Sequence, residues 1–240
     1  MTYNVRELAS FKQAWLVRNS NIPRRFIGLE PKDLVTEFPP VVVDWIGDMK
    51  SGSVIKQLGG LGLTGVGLLF DGGPGLGKTT MAVVAAMEFV RNLPDDADAL
   101  QKVLGYASKE NVSMTSRPIY YMTYAEFVAK KKSVFDLEGE EKRELQREIE
   151  GLHGRAKEDW LNVRLLILDD LGKEYGSSFN DAAFDEILRS RYDRALPTIV
   201  TTNELLDSWA MKYGSAMESF ASEAFHRVRL TNKDLRRARA

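Results

Sequence analysis

The sequence predicts a single α/β domain in which a parallel sheet is flanked by helices. A glycine-rich loop at 71–80 lies between an apolar run at 66–70 and an amphipathic helical pattern. A second apolar run, 165–168, ends in two aspartates, and a third, 197–203, ends in polar residues. Continuous apolar runs of this length are typical of strands buried on both faces, as in parallel sheets.

The length and composition of the chain fit one domain with a sizeable core. It has 240 residues, of which 44% are hydrophobic and 28% charged, as in ordinary globular proteins. The formal net charge is −1, so any contact with nucleic acid must come from local basic patches. The chain has no cysteine, which excludes disulfides and thiolate zinc sites. Because neither a signal-peptide core nor an apolar run long enough for a bilayer is visible, we expect a cytoplasmic protein.

Ahead of the glycine-rich loop the pattern predicts two helices joined by an extended link. Residues 1–21 are expected to form a helical arm with four apolar residues at helical spacing: Leu8, Phe11, Trp15 and Leu16. Residues 22–27 are predicted to be extended, and residues 59–62 to form a loop before the first core strand. The second helix is predicted to begin at Pro39 and Pro40, and its apolar positions include Val43, Ile46 and Met49.

Between the glycine-rich loop and the two aspartates we expect one further strand and two helices. A polar insertion occupies residues 94–117, and residues 118–123 have the pattern of the second strand. One helix follows it directly. A long charged helix is predicted over residues 138–161, with Gly151 and Gly154 as candidate breaks. Its apolar stripe consists of Leu145, Ile149, Leu152, Ala156 and Trp160.

Three more helices complete the predicted domain. Asn180 is a candidate cap for the first of them, whose apolar face consists of Phe184, Ile187, Leu188 and Tyr192. Two short helices, about 204–213 and 215–229, follow the strand at 197–203. No internal repeat or low-complexity linker divides the chain, so we expect one domain.

The glycine-rich loop has the residues that are needed to hold a nucleoside triphosphate. Its pattern, Gly-x-x-x-x-Gly-Lys-Thr, runs from Gly72 to Thr79. Glycine permits backbone angles that turn successive N–H groups toward the phosphates, beside the positive end of the next helix. Lys78 would reach the β- and γ-phosphates, and the Thr79 hydroxyl would hold Mg²⁺. The predicted nucleotide contacts are Gly72, Gly73, Pro74, Gly75, Leu76, Gly77, Lys78, Thr79 and Thr80.

Polar residues at the ends of two later strands complete the predicted site. A buried strand delivers Asp169 and Asp170 to the edge of the sheet at which ligands bind in open α/β folds. Asp169 would hold Mg²⁺ through water, and Asp170 is placed to act as general base on an attacking water. Asn203 could orient the same water, although it could also cap a helix that begins at Glu204.

The order of these motifs resembles that of the AAA+ ATPases of the DnaC/IstB kind, which include helicase loaders and transposase helpers. The resemblance rests on the phosphate loop, on the Leu-Asp-Asp-Leu-Gly run at 168–172, and on the run at 191–203. It covers nearly the whole chain and implies one ATPase domain at 22–240, with insertions at 94–117 and about 124–161. It also implies ATP as the nucleotide and a core without a separate helical lid domain.

The resemblance assigns roles to arginines near the end of the chain. Arg227 matches the arginine finger, which reaches the γ-phosphate on a neighbouring subunit and so implies a homo-oligomer through the ATP interface. Arg229 is the alternative finger, and a solvated helix arginine is a further interpretation. Arg236, in the run Asp234-Leu235-Arg236, resembles the family's sensor of its own nucleotide. A frayed basic tail would give the same pattern.

The helix after the second strand occupies the place where the family contacts single-stranded DNA. Lys130, Lys131 and Lys132 could pair with phosphates, and Tyr124 could stack on a base. The alternative is that the three lysines simply solvate a helix.

The resemblance favours an ATP-dependent replication factor that loads a replicative, DnaB-type helicase and contacts single-stranded DNA. One alternative is a transposase-helper ATPase of the IstB type. A second is a P-loop phosphotransferase, and a third is a module that senses ATP without turnover. An ATPase is favoured over the third because Asp170 supplies a general base.

Overall fold

The computed structural model describes residues 19–51, 55–58, 62–94, 98, 103, 118–172 and 178–231. Its main sheet has five parallel strands in the order β4-β5-β6-β3-β7. They are β3 (Gly67–Asp71), β4 (Ile119–Thr123), β5 (Leu165–Leu171), β6 (Thr198–Thr202) and β7 (Phe225–Arg229). A separate antiparallel hairpin is formed by β1 (Ile55–Leu58) and β2 (Gly62–Gly65).

Helices cover both faces of the main sheet. Those described are α1 (Pro40–Ser51), α2 (Lys78–Arg91), α3 (Tyr124–Ser133), α4 (Gly139–His153), α5 (Ser178–Asp193), α6 (Trp209–Tyr213) and α7 (Ser215–Ala224). Short 3₁₀ turns lie at Arg24–Phe26, Pro31–Asp33, Asp159–Leu161 and Leu206–Ser208. The prediction of an α/β fold with a parallel sheet is confirmed.

Alternate residues of the central strands enter two separate cores, because successive side chains of a strand point to opposite faces. Leu68 and Ile167 pack with α1 and α2 on one face. Leu69 and Leu166 pack with α3 and with helices later in the chain on the other. Burial on both faces accounts for the continuous apolar runs in the sequence.

Two predicted helices end earlier than expected. The helix predicted over 138–161 ends at His153, because Gly154 adopts a left-handed conformation (φ +76°) that closes the last turn. The helix predicted over 215–229 ends at Ala224, and the next five residues form β7. Strand β7 is held by parallel pairing with β3, a long-range contact that local helical spacing does not reveal.

The hairpin and the orientation of α1 were not predicted. The glycine-rich segment at 59–62 was predicted as a simple loop, yet the structure pairs strands on either side of it. Helix α1 begins at Pro40 as expected, but Val43 is 54% exposed. The buried face of α1 is formed by Val42, Trp45, Ile46 and Met49, and the indole N–H of Trp45 donates to the carbonyl of Val66 (2.9 Å).

Several predictions fall outside the described residues. These are the arm helix within residues 1–18, nearly all of the insertion at 94–117, and Arg236. After β7 the described chain continues to residue 231 and contains no separate helical domain up to that point. Among the described helices, none is long and apolar enough to cross a bilayer.

Candidate nucleotide-binding site

The glycine-rich loop joins the end of β3 to the first residue of α2. Gly72 adopts φ +141°, and a Cβ at this position would lie 2.3 Å from the carbonyl oxygen of Leu230, so only glycine fits. Gly77 has φ +84° and immediately precedes α2. The loop therefore places the N-terminus of a fourteen-residue helix at the carboxyl edge of the sheet, which is the arrangement that binds phosphate in other proteins.

Lys78 lies folded over this loop and is only 7% exposed. Its Nζ donates to the carbonyls of Gly72 (2.8 Å) and Gly73 (2.7 Å). It also donates to Oδ1 of Asn203 (2.8 Å), which connects the phosphate loop to the end of β6. The ammonium group therefore lies inside the loop, where phosphate oxygens would replace carbonyls as its acceptors.

Asp169 accepts hydrogen bonds from three hydroxyl groups and is 4% exposed. Oδ1 accepts from Thr79 (2.8 Å) and from Thr201, and Oδ2 accepts from Tyr121 (2.7 Å). Thr79 and Asp169, which the sequence predicts as the magnesium pair, are thus in direct contact. A carboxylate and a hydroxyl beside a phosphate loop are the hard oxygen ligands that Mg²⁺ accepts, with phosphates and water completing its shell. No group of three or more His, Cys, Asp or Glu that could hold a metal occurs in the described ranges.

Asp170 is half-buried and stands at the end of the strand in an unusual backbone conformation (φ +65°). Its N–H donates to Oγ1 of Thr201 (3.0 Å), so the same hydroxyl oxygen contacts both aspartates. A non-glycine residue with positive φ at a ligand-binding edge is a common sign of a functional constraint. Asp170 lines the cleft described below, where a water could reach it.

Asn203 lies between the phosphate loop and the acidic pair because β6 lies between β3 and β5 in the sheet. The alternative role as a helix cap is not borne out. The N–H of Glu204 is bound by Thr202 (3.0 Å), and no helix begins at Glu204, since a 3₁₀ turn at Leu206–Ser208 precedes α6. The amide of Asn203 is instead available to the cleft beside Lys78.

A cleft of about 810 Å³ opens over these residues and has a second wall that the sequence did not reveal. One wall is the phosphate loop with Asp169, Asp170, Thr201 and Asn203. The other comes from the segment before α1: Arg25, Phe26, Leu29, Asp33, Leu34, Val35 and Thr36. The sequence predicts only an extended link at its start, and nothing in its local pattern indicates that it folds over the loop.

Arg227 lies on β7, not on a helix, and its guanidinium is bound within its own chain. It contacts Oδ2 of the buried Asp71 (2.6 Å) and Oδ1 of the exposed Asp207 (2.6 Å). The hydrogen bonds with Asp207 and Asp71 raise the pKa of Arg227 above its usual value, so its positive charge is secure. Arg229, the alternative finger, lies 3.4 Å from Asp207. The finger role of either arginine remains a prediction.

The residues predicted to contact DNA lie on α3, and their surroundings limit what they can do. Tyr124 is 1% exposed, its hydroxyl donates to the carbonyl of Asn180, and its ring packs edge-on against Phe184. A ring buried in this way has no face for a base, so the stacking prediction is wrong for this conformation. Ion pairs join Lys130 to Glu148 and Lys131 to Glu186, and Lys132 lies over the ring of Phe179. Phosphate contacts by these lysines remain a prediction.

Solved structures of DnaC, DnaI and DnaA are among those that share this fold. The structure of the DnaC helicase loader has 18% sequence identity and a TM-score of 0.53, and the match covers 87% of this chain and all of that solved chain. For DnaI the identity is 17% and the TM-score 0.56, with 88% of this chain and 96% of DnaI covered. For AMPPCP-bound DnaA from Aquifex aeolicus the identity is 16% and the TM-score 0.50, and the match covers 82% of this chain and 46% of the DnaA chain.

These comparisons establish the fold. No protein-family model matches the chain, and no curated protein matches it. The predicted α/β fold and its resemblance to DnaC are confirmed as a shared fold. The position of the phosphate loop and acidic pair within that fold then leads to a functional proposal.

Proposed function

We propose that this chain is an ATPase that binds ATP and Mg²⁺ in the cleft between the phosphate loop and residues 25–36. The observation that carries the proposal is the pair of contacts Lys78–Asn203 (2.8 Å) and Thr79–Asp169 (2.8 Å). They bring together, at one edge of the sheet, a cation for the γ-phosphate, a neutral amide and a metal-binding pair. The triphosphate would lie on the N–H groups of the loop and at the N-terminus of α2. AMPPCP, the ligand of DnaA, is an ATP analogue, in agreement with a nucleotide of this class.

In this proposal each residue of the cleft has a separate role in hydrolysis. Lys78 neutralises charge on the β- and γ-phosphates, and Thr79 with Asp169 holds Mg²⁺, which polarises the phosphoryl oxygens. Asp170 accepts a proton from the attacking water, and Asn203 orients that water by hydrogen bonding. The apolar side chains of Phe26, Leu29 and Leu34 offer a surface for the base.

Turnover of ATP by the purified chain tests this proposal directly. With Mg²⁺ present, we expect Asp170→Asn to retain ATP binding and to lose about 100-fold or more of the turnover, as for removal of a general base. Asp181→Asn, an exposed position in the first turn of α5, is the matched control. Wild-type turnover in Asp170→Asn would overturn the base assignment. Binding without turnover in the wild type would favour an ATP sensor, and turnover only with a small acceptor would favour a phosphotransferase.

We further propose that the ATPase acts as a loader of a DnaB-type replicative helicase and contacts single-stranded DNA. The shared fold with the DnaC helicase loader supports this role, because the match covers the whole of that solved chain. A transposase helper is the second candidate. Co-purification of the full chain with a DnaB-type helicase, but not with a transposase, would support the loader, and the reverse would overturn it. Turnover that is the same with and without single-stranded DNA would overturn the DNA contact.

The proposed oligomer requires Arg227 to leave Asp71 and Asp207 and to reach a neighbouring nucleotide. Mixing two inactive variants separates this role from one within the chain. Lys78→Ala lacks a functional loop but keeps its arginine, whereas Arg227→Ala has the opposite defect. If Arg227 acts between subunits, the mixture recovers turnover that neither variant has alone. No recovery would show that Arg227 serves only its own chain.

A further inference from the structure

Tyr121 places a hydroxyl group against the carboxylate of Asp169. Strand β4 pairs with β5 so that Tyr121 lies opposite Ile167 and Thr123 opposite Asp169. Side chains two residues apart share a face of the sheet, so Tyr121 and Asp169 point to the same side, toward α2. The phenol therefore spans one pleat and donates to Oδ2 at 2.7 Å.

The arrangement of donors around Asp169 gives this contact its importance. An ionised carboxylate has about four lone-pair sites, two on each oxygen. Oδ1 accepts from Thr79 and Thr201, and Oδ2 accepts from Tyr121. Among the hydrogen bonds of the described residues, no others reach this carboxylate, so one acceptor site is left on Oδ2. The other site of Oδ2 is occupied by the hydroxyl of Tyr121.

The main chain and the ring of Tyr121 are both held in place. Its main-chain N–H donates to the carbonyl of Ser20 (2.7 Å), and its carbonyl accepts from the side-chain amide of Asn21 (2.9 Å). Its ring is 6% exposed and belongs to the core beneath α2. Burial, and the negative charge of Asp169, raise the pKa of Tyr121 above its usual value, so the phenol keeps the proton that it donates.

We infer that Tyr121 is a positioning residue for the metal: its hydroxyl fixes the Asp169 carboxylate so that the remaining lone pair of Oδ2 faces the water ligands of Mg²⁺. This inference rests on the proposed function of the cleft, since it concerns the metal that accompanies ATP. Tyr121 is not among the residues that line the cleft, whereas Asp169 is. Its effect on turnover passes entirely through Asp169.

Metal binding with and without the hydroxyl tests the inference. Tyr121→Phe removes one oxygen atom and keeps the ring. Tyr120→Phe is the matched control, because it makes the same change in the same strand on the opposite face of the sheet. Binding of Mn²⁺ to the ADP complex, followed by electron paramagnetic resonance, reports the metal site. Binding of a fluorescent ATP analogue in EDTA reports the nucleotide site without metal.

We expect Tyr121→Phe to weaken Mn²⁺ binding about tenfold, as for other residues that orient a metal ligand, with unchanged nucleotide affinity in EDTA. Its turnover should fall at limiting Mg²⁺ and recover as Mg²⁺ is raised, whereas Tyr120→Phe should behave as the wild type. Equal Mn²⁺ affinity in both variants and the wild type would overturn the inference and leave the proposed function intact. An equal loss of metal and nucleotide affinity in Tyr121→Phe would show a merely structural role. A wild type that binds neither ligand would overturn the proposed function itself.

Discussion

Two buried charged side chains lie at opposite ends of the parallel strands, Asp169 at the carboxyl edge and Arg191 at the amino edge, and both are stabilised in the same way. At the carboxyl edge, Asp169 accepts from three hydroxyls. At the amino edge, Arg191 is fully buried, and its guanidinium donates to Oγ1 of Thr198. It also donates to four main-chain carbonyls, which belong to Leu152, Val163, Arg164 and Pro197. Both charges are held by neutral dipoles, and among the described residues no salt bridge involves either of them.

The difference between the edges lies in what surrounds the charge. The cleft of about 810 Å³ adjoins Asp169, and the carboxylate has an acceptor site left for a ligand. The five hydrogen bonds of Arg191 use every donor direction that a guanidinium has, and they tie α4, α5 and the starts of β5 and β6 together. We therefore expect substitutions at the amino edge to change the free energy of unfolding, and those at the carboxyl edge to change turnover.

Arg191→Met should have the largest effect of the substitutions that test this comparison. It removes five hydrogen bonds and leaves buried carbonyls without a donor, so we expect a loss of about 3–5 kcal/mol in the free energy of unfolding. Urea denaturation measures this loss. Arg189→Met, two residues earlier in α5 at a position where the side chain is 42% exposed, should cost about 1 kcal/mol or less. Similar losses at the two positions would contradict the structural role of Arg191.

His153 makes the amino edge sensitive to acid. Its ring is fully buried beside Phe127, and neither ring nitrogen has a hydrogen-bond partner among the described residues. Burial and the nearby cations of Arg155, Lys131 and Arg191 lower the pKa of His153 to about 3, although Glu186 opposes the shift. The folded state thus binds this proton only at very acid pH, whereas the unfolded chain binds it near pH 6.5.

The resulting stabilisation is present above pH 6.5 and is lost as the pH falls toward 3. From a pKa shift of this size we expect His153 to lower the free energy of unfolding by about 2 kcal/mol as the pH falls from 7 to 5. Urea denaturation at pH 7 and at pH 5 measures the loss of free energy of unfolding between the two pH values. In His153→Leu we expect this loss to be about 2 kcal/mol smaller than in the wild type. His226→Leu, at an exposed position of β7, is the control for losing a histidine. Equal pH dependence in the wild type and His153→Leu would show that His153 is not the sensitive group.

The carboxyl edge was far easier to predict from the sequence than the amino edge. The phosphate loop, the acidic pair and Asn203 were predicted from short motifs, and parallel strands necessarily bring their carboxyl ends together. Arg191 lies within the motif that carries the family resemblance, yet its role depends on carbonyls up to 39 residues away in the sequence. In the sequence, His153 is a single histidine with no motif around it. Its lowered pKa results mainly from burial, which the sequence does not reveal.

Other features were missed because long-range pairing determines them. Strand β7 pairs with β3, and the wall at residues 25–36 packs against the core beneath α2. Tyr121 was predicted as part of the second strand, but its contact with Asp169 depends on the register between β4 and β5. Local periodicity identifies a strand, but it does not fix which strand lies beside it.

Thr201→Val should affect stability less than Arg191→Met, and it tests the carboxyl edge. The hydroxyl of Thr201 donates to Asp169 and accepts from the N–H of Asp170, so valine of the same shape breaks both contacts. We expect a loss of about 1–2 kcal/mol in the free energy of unfolding, because the half-buried N–H of Asp170 loses this acceptor. Turnover should fall about tenfold, since both aspartates lose the group that orients them.

Thr201→Ser separates the hydroxyl from the rest of the side chain. It keeps the hydroxyl and removes the methyl group, so we expect turnover to stay near that of the wild type while stability falls slightly. Steady-state turnover and urea denaturation of the two variants measure both effects. If serine and valine reduced turnover equally, packing at β6 would be responsible, and the carboxyl edge would resemble the amino edge more closely than the hydrogen bonds indicate.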